Sequence, residues 1–264
     1  MEGIAIPKEI QELIGDRIGK VDEVGKSSSK VICYSDMILK IEKTNKSSDN
    51  EYRMMEWLNG KLSVPEILCF KKEQEMSYLL MTRVEGTMSC GDEYMENPKL
   101  LIKLMAEGMR KLWSLDITDC PSMNNIDKLL KEAEYRVING LCDIEDAEPE
   151  TYGENGFRDP AELLTWLKEH KPEEEFVFTH GDCCMPNLFL NKDRFSGFID
   201  LGNCGIADKY QDIALCYRSL LHNFAGVYTG KAYPKFDEEM FFKELGIEPD
   251  WEKIRYYILL DELF

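Results

Sequence analysis

The chain is poor in histidine and in basic residues. It has three histidines and no cysteine pair spaced as Cys-x-x-Cys, so it lacks the ligand pattern of a structural zinc site. Its 32 Lys and Arg stand against 50 Asp and Glu, a net charge of −18. Nucleic-acid binding depends on Lys and Arg against phosphate, so we expect no nucleic-acid partner. The acidic excess either serves solubility or marks a cleft that attracts cations, and composition alone leaves both open.

Long apolar segments are also missing. No stretch approaches 18 consecutive apolar residues, and residues 1–14 lack a basic region followed by a long apolar run. We therefore expect a cytoplasmic protein with no membrane partner, a monomer or weak dimer, whose nine cysteines stay reduced. What is present is a 44% hydrophobic fraction over 264 residues, enough for one large domain or for two lobes that share a cleft.

The hydrophobic pattern changes character at residues 83–86. Before this point, short strand-like runs such as Val31-Ile-Cys-Tyr and Met37-Ile-Leu-Lys-Ile surround a single helical segment after residue 50. After it, apolar residues recur at helical spacing. We predict an α+β fold with a small antiparallel-sheet lobe, residues 1–85, and a larger, mainly helical lobe, residues 86–264.

The most informative segment is Phe176-Val-Phe-Thr-His-Gly-Asp-Cys-Cys-Met-Pro-Asn-Leu-Phe-Leu. An apolar strand leads into Asp182, and Asn187 follows five positions later, just before a second apolar strand. Asp200, thirteen residues beyond Asn187, ends another apolar strand. Singly, each would be a turn residue or a strand cap. Jointly, two carboxylates and a carboxamide at strand–loop junctions suit metal-assisted phosphoryl transfer. One carboxylate orients the attacking hydroxyl, while the other and the Asn hold Mg²⁺.

This spacing resembles the protein-kinase superfamily. The Gly after His180, together with Gly197-Phe-Ile-Asp-Leu-Gly, resembles aminoglycoside phosphotransferases, most of all the 3′-phosphotransferases. The resemblance covers most of the chain, including Trp57-Leu-Asn-Gly-Lys-Leu-Ser-Val-Pro, Ala207-Asp-Lys-Tyr-Gln-Asp-Ile-Ala and residues 251–264. It implies a protein-kinase-like two-lobed fold. It also implies transfer of the γ-phosphoryl of MgATP to a hydroxyl, expected at the 3′ position, of an aminoglycoside antibiotic, which confers resistance.

The resemblance also assigns roles residue by residue. Asp182 is the expected catalytic carboxylate, and Asn187 and Asp200 are the expected Mg²⁺ ligands. Lys40 is expected to contact the α- and β-phosphates of ATP, with Glu51 as its ion-pair partner. Without the later motifs, Lys40 would be interpreted as a surface lysine on a strand.

Further nucleotide contacts are expected from two loops. The segment Gly25-Lys-Ser-Ser lacks the upstream glycine of a Walker A loop and precedes a strand, so that motif is rejected. We expect it to cover the phosphates through the backbone N–H groups of Ser27 and Ser28. Arg83 and Val84, between the lobes, are expected to hydrogen-bond the adenine through their backbone.

The acceptor site is expected to be acidic, because an aminoglycoside carries several ammonium groups. The resemblance also implies that the α-carboxylate of Phe264 reaches the drug. The expected substrate-binding residues are Asp182, Glu148, Glu150, Glu154, Asp261, Glu262 and Phe264. For Asp261 and Glu262 the alternative is a solvated helix end, although negative charge at a helix C-terminus is unfavourable to the dipole.

Two further features bear on the site. Asp212 is expected to brace the backbone of the catalytic loop. Asn203 stands where related enzymes usually carry an Arg, and residues 222–236 look longer than the corresponding connection in close relatives. Both departures adjoin the expected drug site and bear on which drugs fit.

Two other functions stay open at this point. A kinase for another small molecule, such as a choline-like amine or a macrolide, would use the same machinery without needing acidic residues at 261 and 262. A nucleotide-binding pseudokinase is the third possibility, and the intact Lys40, Asp182, Asn187 and Asp200 argue against it.

Overall fold

The computed structural model describes residues 5–22, 29–234 and 236–264. Its first part is a five-stranded antiparallel sheet in the order β1-β2-β3-β5-β4. The strands are β1 (Lys20–Val21), β2 (Lys30–Cys33), β3 (Met37–Lys43), β4 (Ile67–Glu73) and β5 (Met76–Thr82). Ser27 and Ser28 lie outside the described residues.

Side chains alternate across this sheet, as the period of a strand requires. Tyr78 and Leu80 of β5 are buried against α1 (Lys8–Ile14), together with apolar residues of β3. Leu79 and Met81 face the other way, into the main core beneath α2 (Lys46–Leu58). Each face of β5 is therefore covered by one helix, which makes it a rigid base for the neighbouring β3.

The chain leaves the sheet after Thr82 and enters the second part at β6 (Thr87–Met88). Gly86 is required in this connection. Its φ is +96°, and a Cβ there would lie 2.0 Å from the carbonyl oxygen of Leu190. The two parts, one sheet-rich and one mainly helical, form the two-lobed α+β fold predicted from the sequence, which is confirmed. The exact boundary at residues 85 and 86 stays a prediction.

The helical lobe is built around α4 (Pro98–Trp113), whose apolar stripe is fully buried. Gly108 has no side chain, and this allows the helix to approach the ring of Phe195 closely. The other helices are α3 (Asp92–Met95), α5 (Ile126–Ile138), α6 (Pro160–Glu169), α7 (Lys209–Ala225), α8 (Glu238–Leu245) and α9 (Trp251–Asp261). Within the described ranges, no helix combines the length and apolar character needed to cross a membrane.

Two short antiparallel pairs in this lobe carry the motifs singled out above. The first pair joins β7 (Phe176–Thr179) to β10 (Gly205–Asp208), and the second joins β8 (Leu188–Asn191) to β9 (Arg194–Phe198). Asp182 follows β7, Asn187 immediately precedes β8, and Asp200 follows β9. The strands therefore deliver all three side chains to neighbouring loops.

Candidate active site

The loop that carries Asp182 depends on a glycine. Gly181 has φ +80°, and a Cβ there would lie 2.2 Å from the carbonyl oxygen of Asn203. Only glycine combines this left-handed conformation with so close a backbone contact. The turn leaves Asp182 half-buried at the end of β7.

Asp212, in the first turn of α7, holds the loop from below. Its two carboxylate oxygens accept the backbone N–H groups of His180 and Gly181, both at 2.9 Å. The prediction that Asp212 braces this loop is confirmed. The carboxylate is fully buried, and this burial raises its pKa to about 6, against the opposing effects of His180 and of the two N–H donors.

Asn187 orients Asp182 directly. Its Nδ2 donates to Oδ2 of Asp182 at 3.0 Å and to the main-chain oxygen of Asp182 at 3.0 Å. The carbonyl oxygen of Asn187 in turn accepts the N–H of Ile199, also at 3.0 Å, which fixes the residue just before Asp200. Side-chain hydrogen bonding thus joins Asp182 to Asn187, and a main-chain hydrogen bond places Asn187 beside the segment that carries Asp200.

Lys40 extends from the sheet lobe to Asp200 of the helical lobe. Its Nζ lies 2.8 Å from Oε2 of Glu51 and 3.0 Å from Oδ1 of Asp200. Burial acts to lower the pKa of Lys40, but the charges of Glu51, Asp200 and Glu42 outweigh it and raise that pKa above its ordinary value. The ion pair predicted between Lys40 and Glu51 is therefore present. Glu56, the other glutamate of α2, is exposed and accepts a hydrogen bond from the hydroxyl of Tyr52.

The donor set at this site fits Mg²⁺. Asn187 uses its amide nitrogen on Asp182, which leaves its side-chain oxygen for other contacts. Asp200 is about half-exposed and adopts a left-handed backbone conformation, with φ +57°, that directs it out of its strand. Both offer the hard oxygen ligands that Mg²⁺ prefers, and so few protein ligands suit an ion that keeps several waters. That they bind Mg²⁺ stays a prediction.

The electrostatics of Asp182 suit interaction with a hydroxyl. Burial raises the pKa of the Asp182 carboxyl, and the negative charges of Asp261 and Asp200 add to this against the opposing effect of His180. A carboxylate with a raised proton affinity accepts a strong hydrogen bond from a hydroxyl group. The proximity of Asp261 also brings one of the predicted acceptor residues to the catalytic loop.

The predicted acceptor residues fall into two groups. Glu148, Asp261 and Glu262 gather around one cation, Arg218 of α7. Arg218 pairs closely with Asp261 and lies 3.3 Å from Glu262 and 3.9 Å from Glu148. Burial raises the pKa of Glu262 to about 7, despite the opposing charge of Arg218. This pairing explains how two carboxylates are accommodated at the end of α9.

Glu150 and Glu154 lie elsewhere. They line a cavity of about 750 Å³ between the loop 149–157 and the outer face of α9, whose walls include Tyr217, Trp251 and Arg255. None of the other predicted site residues lines this cavity. The structure therefore does not bring Glu150 and Glu154 together with Asp182, because they follow Glu148 around the far side of α9.

Phe264 and the residues between the lobes complete the predicted set. Phe264 lines a cavity of about 690 Å³ beside the catalytic loop, and its main-chain oxygen accepts a hydrogen bond from Arg136. Arg83 is exposed and its guanidinium donates to the carbonyl of Tyr34 at 3.1 Å. Val84 is half-buried. Roles for Arg83 and Val84 in adenine binding stay predictions.

The fold and this geometry agree with comparisons to known proteins. The model of the phosphotransferase enzyme family matches residues 22–257. This chain belongs to that family. The resemblance to aminoglycoside phosphotransferases noted from the sequence is confirmed by its relatives and by its structural neighbours.

Two relatives are aminoglycoside 3′-phosphotransferases. One, from Enterococcus faecalis, is 46% identical over 220 residues, which cover 82% of this chain and 78% of the relative. Another, from Staphylococcus aureus, is 40% identical over 259 residues, covering 97% and 93%. Among solved structures, the aminoglycoside phosphotransferase APH(3″)-Id of Streptomyces rimosus in complex with ADP and streptomycin has a TM-score of 0.78 at 23% identity, covering 96% of this chain and 95% of that chain. This last likeness supports the fold.

Sequence reasoning missed three residues of the site, Arg218, His222 and Gln211. Arg218 lies four residues before His222 on α7, so the sequence already places both side chains on the same face of that helix. His222 contacts Glu148 at 3.1 Å, so both side chains belong to the acidic cluster. Gln211, next to Asp212, was missed as well and lines the 690 Å³ cavity.

Proposed function

We propose that this protein transfers the γ-phosphoryl group of ATP to the 3′-hydroxyl of an aminoglycoside antibiotic, with Mg²⁺ as cofactor, and thereby confers resistance. The observation that carries the proposal is that Asn187 is hydrogen-bonded to Asp182 in the loops after β7, while Lys40 of the sheet lobe is paired with Asp200 of the helical lobe. The named activity of the relatives supports the choice of acceptor.

In the proposed reaction, Asp182 accepts a hydrogen bond from the acceptor hydroxyl and so orients its oxygen toward the γ-phosphorus. The bond between the γ-phosphorus and the bridging oxygen of ADP breaks as the new phosphorus–oxygen bond forms, and the hydroxyl proton passes to Asp182 or to solvent. Catalysis of this kind rests on positioning and charge neutralisation. Asn187 supports it by fixing the side chain of Asp182, and Asp212 supports it by fixing the loop.

Two groups prepare the phosphates. Lys40, held by Glu51, supplies a fixed cation for the α- and β-phosphates. Mg²⁺, when bound by Asn187 and Asp200, neutralises the negative charge of the triphosphate. On the acceptor side, the three carboxyl groups of Glu148, Asp261 and Glu262 outnumber the single cation Arg218, which leaves an acidic surface for ammonium groups.

The proposal is tested by comparing kanamycin with tobramycin, which lacks the 3′-hydroxyl. ADP release is followed by a coupled assay with MgATP and purified protein. Turnover with kanamycin alone is the expected result and assigns the phosphate to the 3′ position. Turnover with both drugs would show that a hydroxyl other than the 3′-hydroxyl is phosphorylated. Turnover with neither, but with choline or a macrolide, would overturn the choice of acceptor.

A further inference from the structure

The 690 Å³ cavity beside the catalytic loop has a composition that the acidic excess of the chain does not predict. It lies between α2 of the sheet lobe and α5 of the helical lobe. Its lining includes Gly181 and Gly202, which are next in sequence to Asp182 and two residues after Asp200, respectively. Its volume falls in the range of small-molecule sites. It is therefore placed to hold a part of the acceptor next to the reacting hydroxyl.

Two buried side chains in the lining of this cavity have acceptor oxygens without a hydrogen-bond partner among the described residues. Asn50, 7% exposed, donates its Nδ2 to the carbonyls of Gly202 at 2.9 Å and Cys204 at 2.8 Å. Because both partners are acceptors, the amide orientation is fixed and Oδ1 points away from them. Gln211, 9% exposed, donates toward the carbonyl of Gly181 at 3.5 Å.

Neither Oδ1 of Asn50 nor Oε1 of Gln211 has a hydrogen-bond partner among the described residues. Buried polar atoms are almost always paired in folded proteins, so each such atom calls for an explanation. A ligand that donates hydrogen bonds would satisfy both oxygens. Hydroxyl groups and ammonium groups are the two candidates in an aminoglycoside.

The charges on the cavity wall distinguish hydroxyl from ammonium. Lys46 and Arg53, like Asn50, lie on the cavity face of α2, and Lys128 faces them from α5. Neither Lys46 nor Arg53 has an ion-pair partner within the described part of the chain, and Lys128 donates to the neutral Asn124 at 2.7 Å. Burial lowers the pKa of Lys128, and the charges of Arg53 and Lys46 add to this against the opposing charge of Glu132.

The carboxylates on the same wall do not balance these cations. Asp49 is paired with Lys72, whereas Asp261 shares Arg218 with Glu148 and Glu262. Glu132 and Asp261 therefore stand on this wall with the three cations Lys46, Arg53 and Lys128. The side chains that line the cavity carry a small excess of positive charge in a chain whose net charge is −18.

We infer that this cavity is a subsite for a hydroxyl-bearing portion of the acceptor. Gln211 and Asn50 accept its hydroxyl hydrogen bonds, while Lys46, Arg53 and Lys128 disfavour an ammonium group at the same position. The inference rests on the proposed function and refines its substrate class: the protein selects aminoglycosides that carry a hydroxyl, rather than an amine, where the drug enters this cavity. The acidic cluster around Arg218 remains the site for ammonium groups.

The test uses two pairs of drugs that differ by one hydroxyl-to-amine exchange near the reacting position. These are paromomycin with neomycin, at the 6′ position, and kanamycin A with kanamycin B, at the 2′ position. We expect the wild-type kcat/KM to favour the hydroxyl member of at least one pair. The double variant Arg53→Gln with Lys128→Gln reduces that preference about fivefold at low ionic strength, and added salt reduces the wild-type preference in the same direction.

The matched control is Lys103→Gln with Lys131→Gln. Both lysines are exposed, lie on α4 and α5, and do not line the cavity. This control should keep the wild-type ratios. Unchanged ratios in both drug pairs for the Arg53 and Lys128 variant would overturn the subsite while leaving the proposed function intact. Absence of turnover with all four drugs would instead count against the proposed function itself.

Gln211 gives an independent test. Gln211→Met removes the acceptor oxygen and should raise KM for the preferred drug about tenfold, with KM for ATP unchanged. Gln211→Glu keeps an acceptor oxygen and adds a negative charge, so it should recover the lost affinity and shift the preference toward the amine member of the pair. Equal losses for both members in both variants, or a raised KM for ATP, would show that Gln211 serves only to hold the loop.

Discussion

Lys40 of the sheet lobe lies 3.0 Å from Asp200 of the helical lobe, although 160 positions separate them in the sequence. The contact joins the predicted phosphate-binding cation to the predicted metal ligand. Lys40 is held in this position because its ammonium group also pairs with Glu51 at 2.8 Å, and the side chain of Glu51 is only 3% exposed. The geometry of both lobes at the site thus depends on one buried ion pair.

Replacing Glu51 by Gln tests this dependence. The variant keeps the shape of the side chain but removes the charge that holds Lys40, which then follows Asp200 alone. We expect KM for ATP to rise and kcat to fall about 100-fold, the scale of a misplaced catalytic group. The control is Glu56→Gln, an exposed change five residues further along the same helix, which should leave both constants within about twofold. Equal behaviour of the two variants would remove Glu51 from the nucleotide site.

Gly181 is predicted to be irreplaceable, whereas Gly140 is not. Both have positive φ, but a Cβ at residue 181 would meet the Asn203 backbone at 2.2 Å while residue 140 has open space around it. Gly181→Ala should displace the Asp182 loop and abolish turnover. Gly140→Ala should cost about 1 kcal/mol of stability through its backbone conformation and leave kcat intact. Steady-state kinetics and thermal denaturation of both variants decide this, and an active Gly181→Ala enzyme would contradict the account.

Asp208 is predicted to be structural. Its carboxylate is fully buried, caps α7 through the N–H of Tyr210 and pairs with Lys253 of α9 at 2.9 Å. Breaking a buried pair by removing one charge costs about 3–5 kcal/mol, so Asp208→Asn should lower Tm by roughly 10 °C. At 25 °C the folded variant should retain the wild-type kcat. Loss of kcat without loss of Tm would reveal a direct role in catalysis.

Glu262 should make acceptor binding depend on pH. Its pKa is raised to about 7, so it gains a proton as pH falls from 8 to 6 and the acidic cluster loses one negative charge. KM for a cationic drug should therefore rise over this interval relative to that of Glu262→Gln, which carries no charge to lose. Protonation of the drug affects both proteins equally at each pH, so it cancels in the ratio of the two KM values. A constant ratio would contradict the raised pKa.

The same shift predicts a change in stability. The folded-state pKa of Glu262 exceeds its ordinary value of 4.5, so the folded protein binds a proton more tightly than the unfolded chain. Between these two values the contribution of Glu262 to stability therefore falls as pH rises. Glu262→Gln should gain stability relative to the wild type when the pH is raised from 5 to 8.

Much of the fold and of the catalytic geometry was predictable from the sequence. Short strand-like runs before residue 83 and helical spacing after residue 86 predicted the two-lobed architecture. Apolar residues alternate along a strand but recur every three to four residues along a helix, so the sequence itself distinguishes the two elements. Asp182, Asn187 and Asp200 sit at the ends of short strands, so their spacing along the chain already limits where they lie. Asp212 was predictable for the same reason, since it opens the helix that follows β10.

The acceptor side was less predictable. Glu148, Glu150 and Glu154 are close in sequence, yet they diverge because the loop that carries them turns around α9, and no local pattern encodes that path. Arg218 meets its carboxylates across 43 and 44 positions. Such pairings arise from helix packing, and a net charge of −18 gave no indication of a local cation.

The most direct test of the central claim is Asp182→Ala, measured for both turnover and nucleotide binding. The account predicts a loss of kcat of about 10³-fold or more with kanamycin, because the carboxylate that orients the hydroxyl is gone. MgATP should still bind with a Kd within about twofold of the wild type, because Asp182 is not among the predicted nucleotide contacts. Retained turnover, or loss of turnover together with nucleotide binding, would contradict the assignment of Asp182 as the catalytic carboxylate.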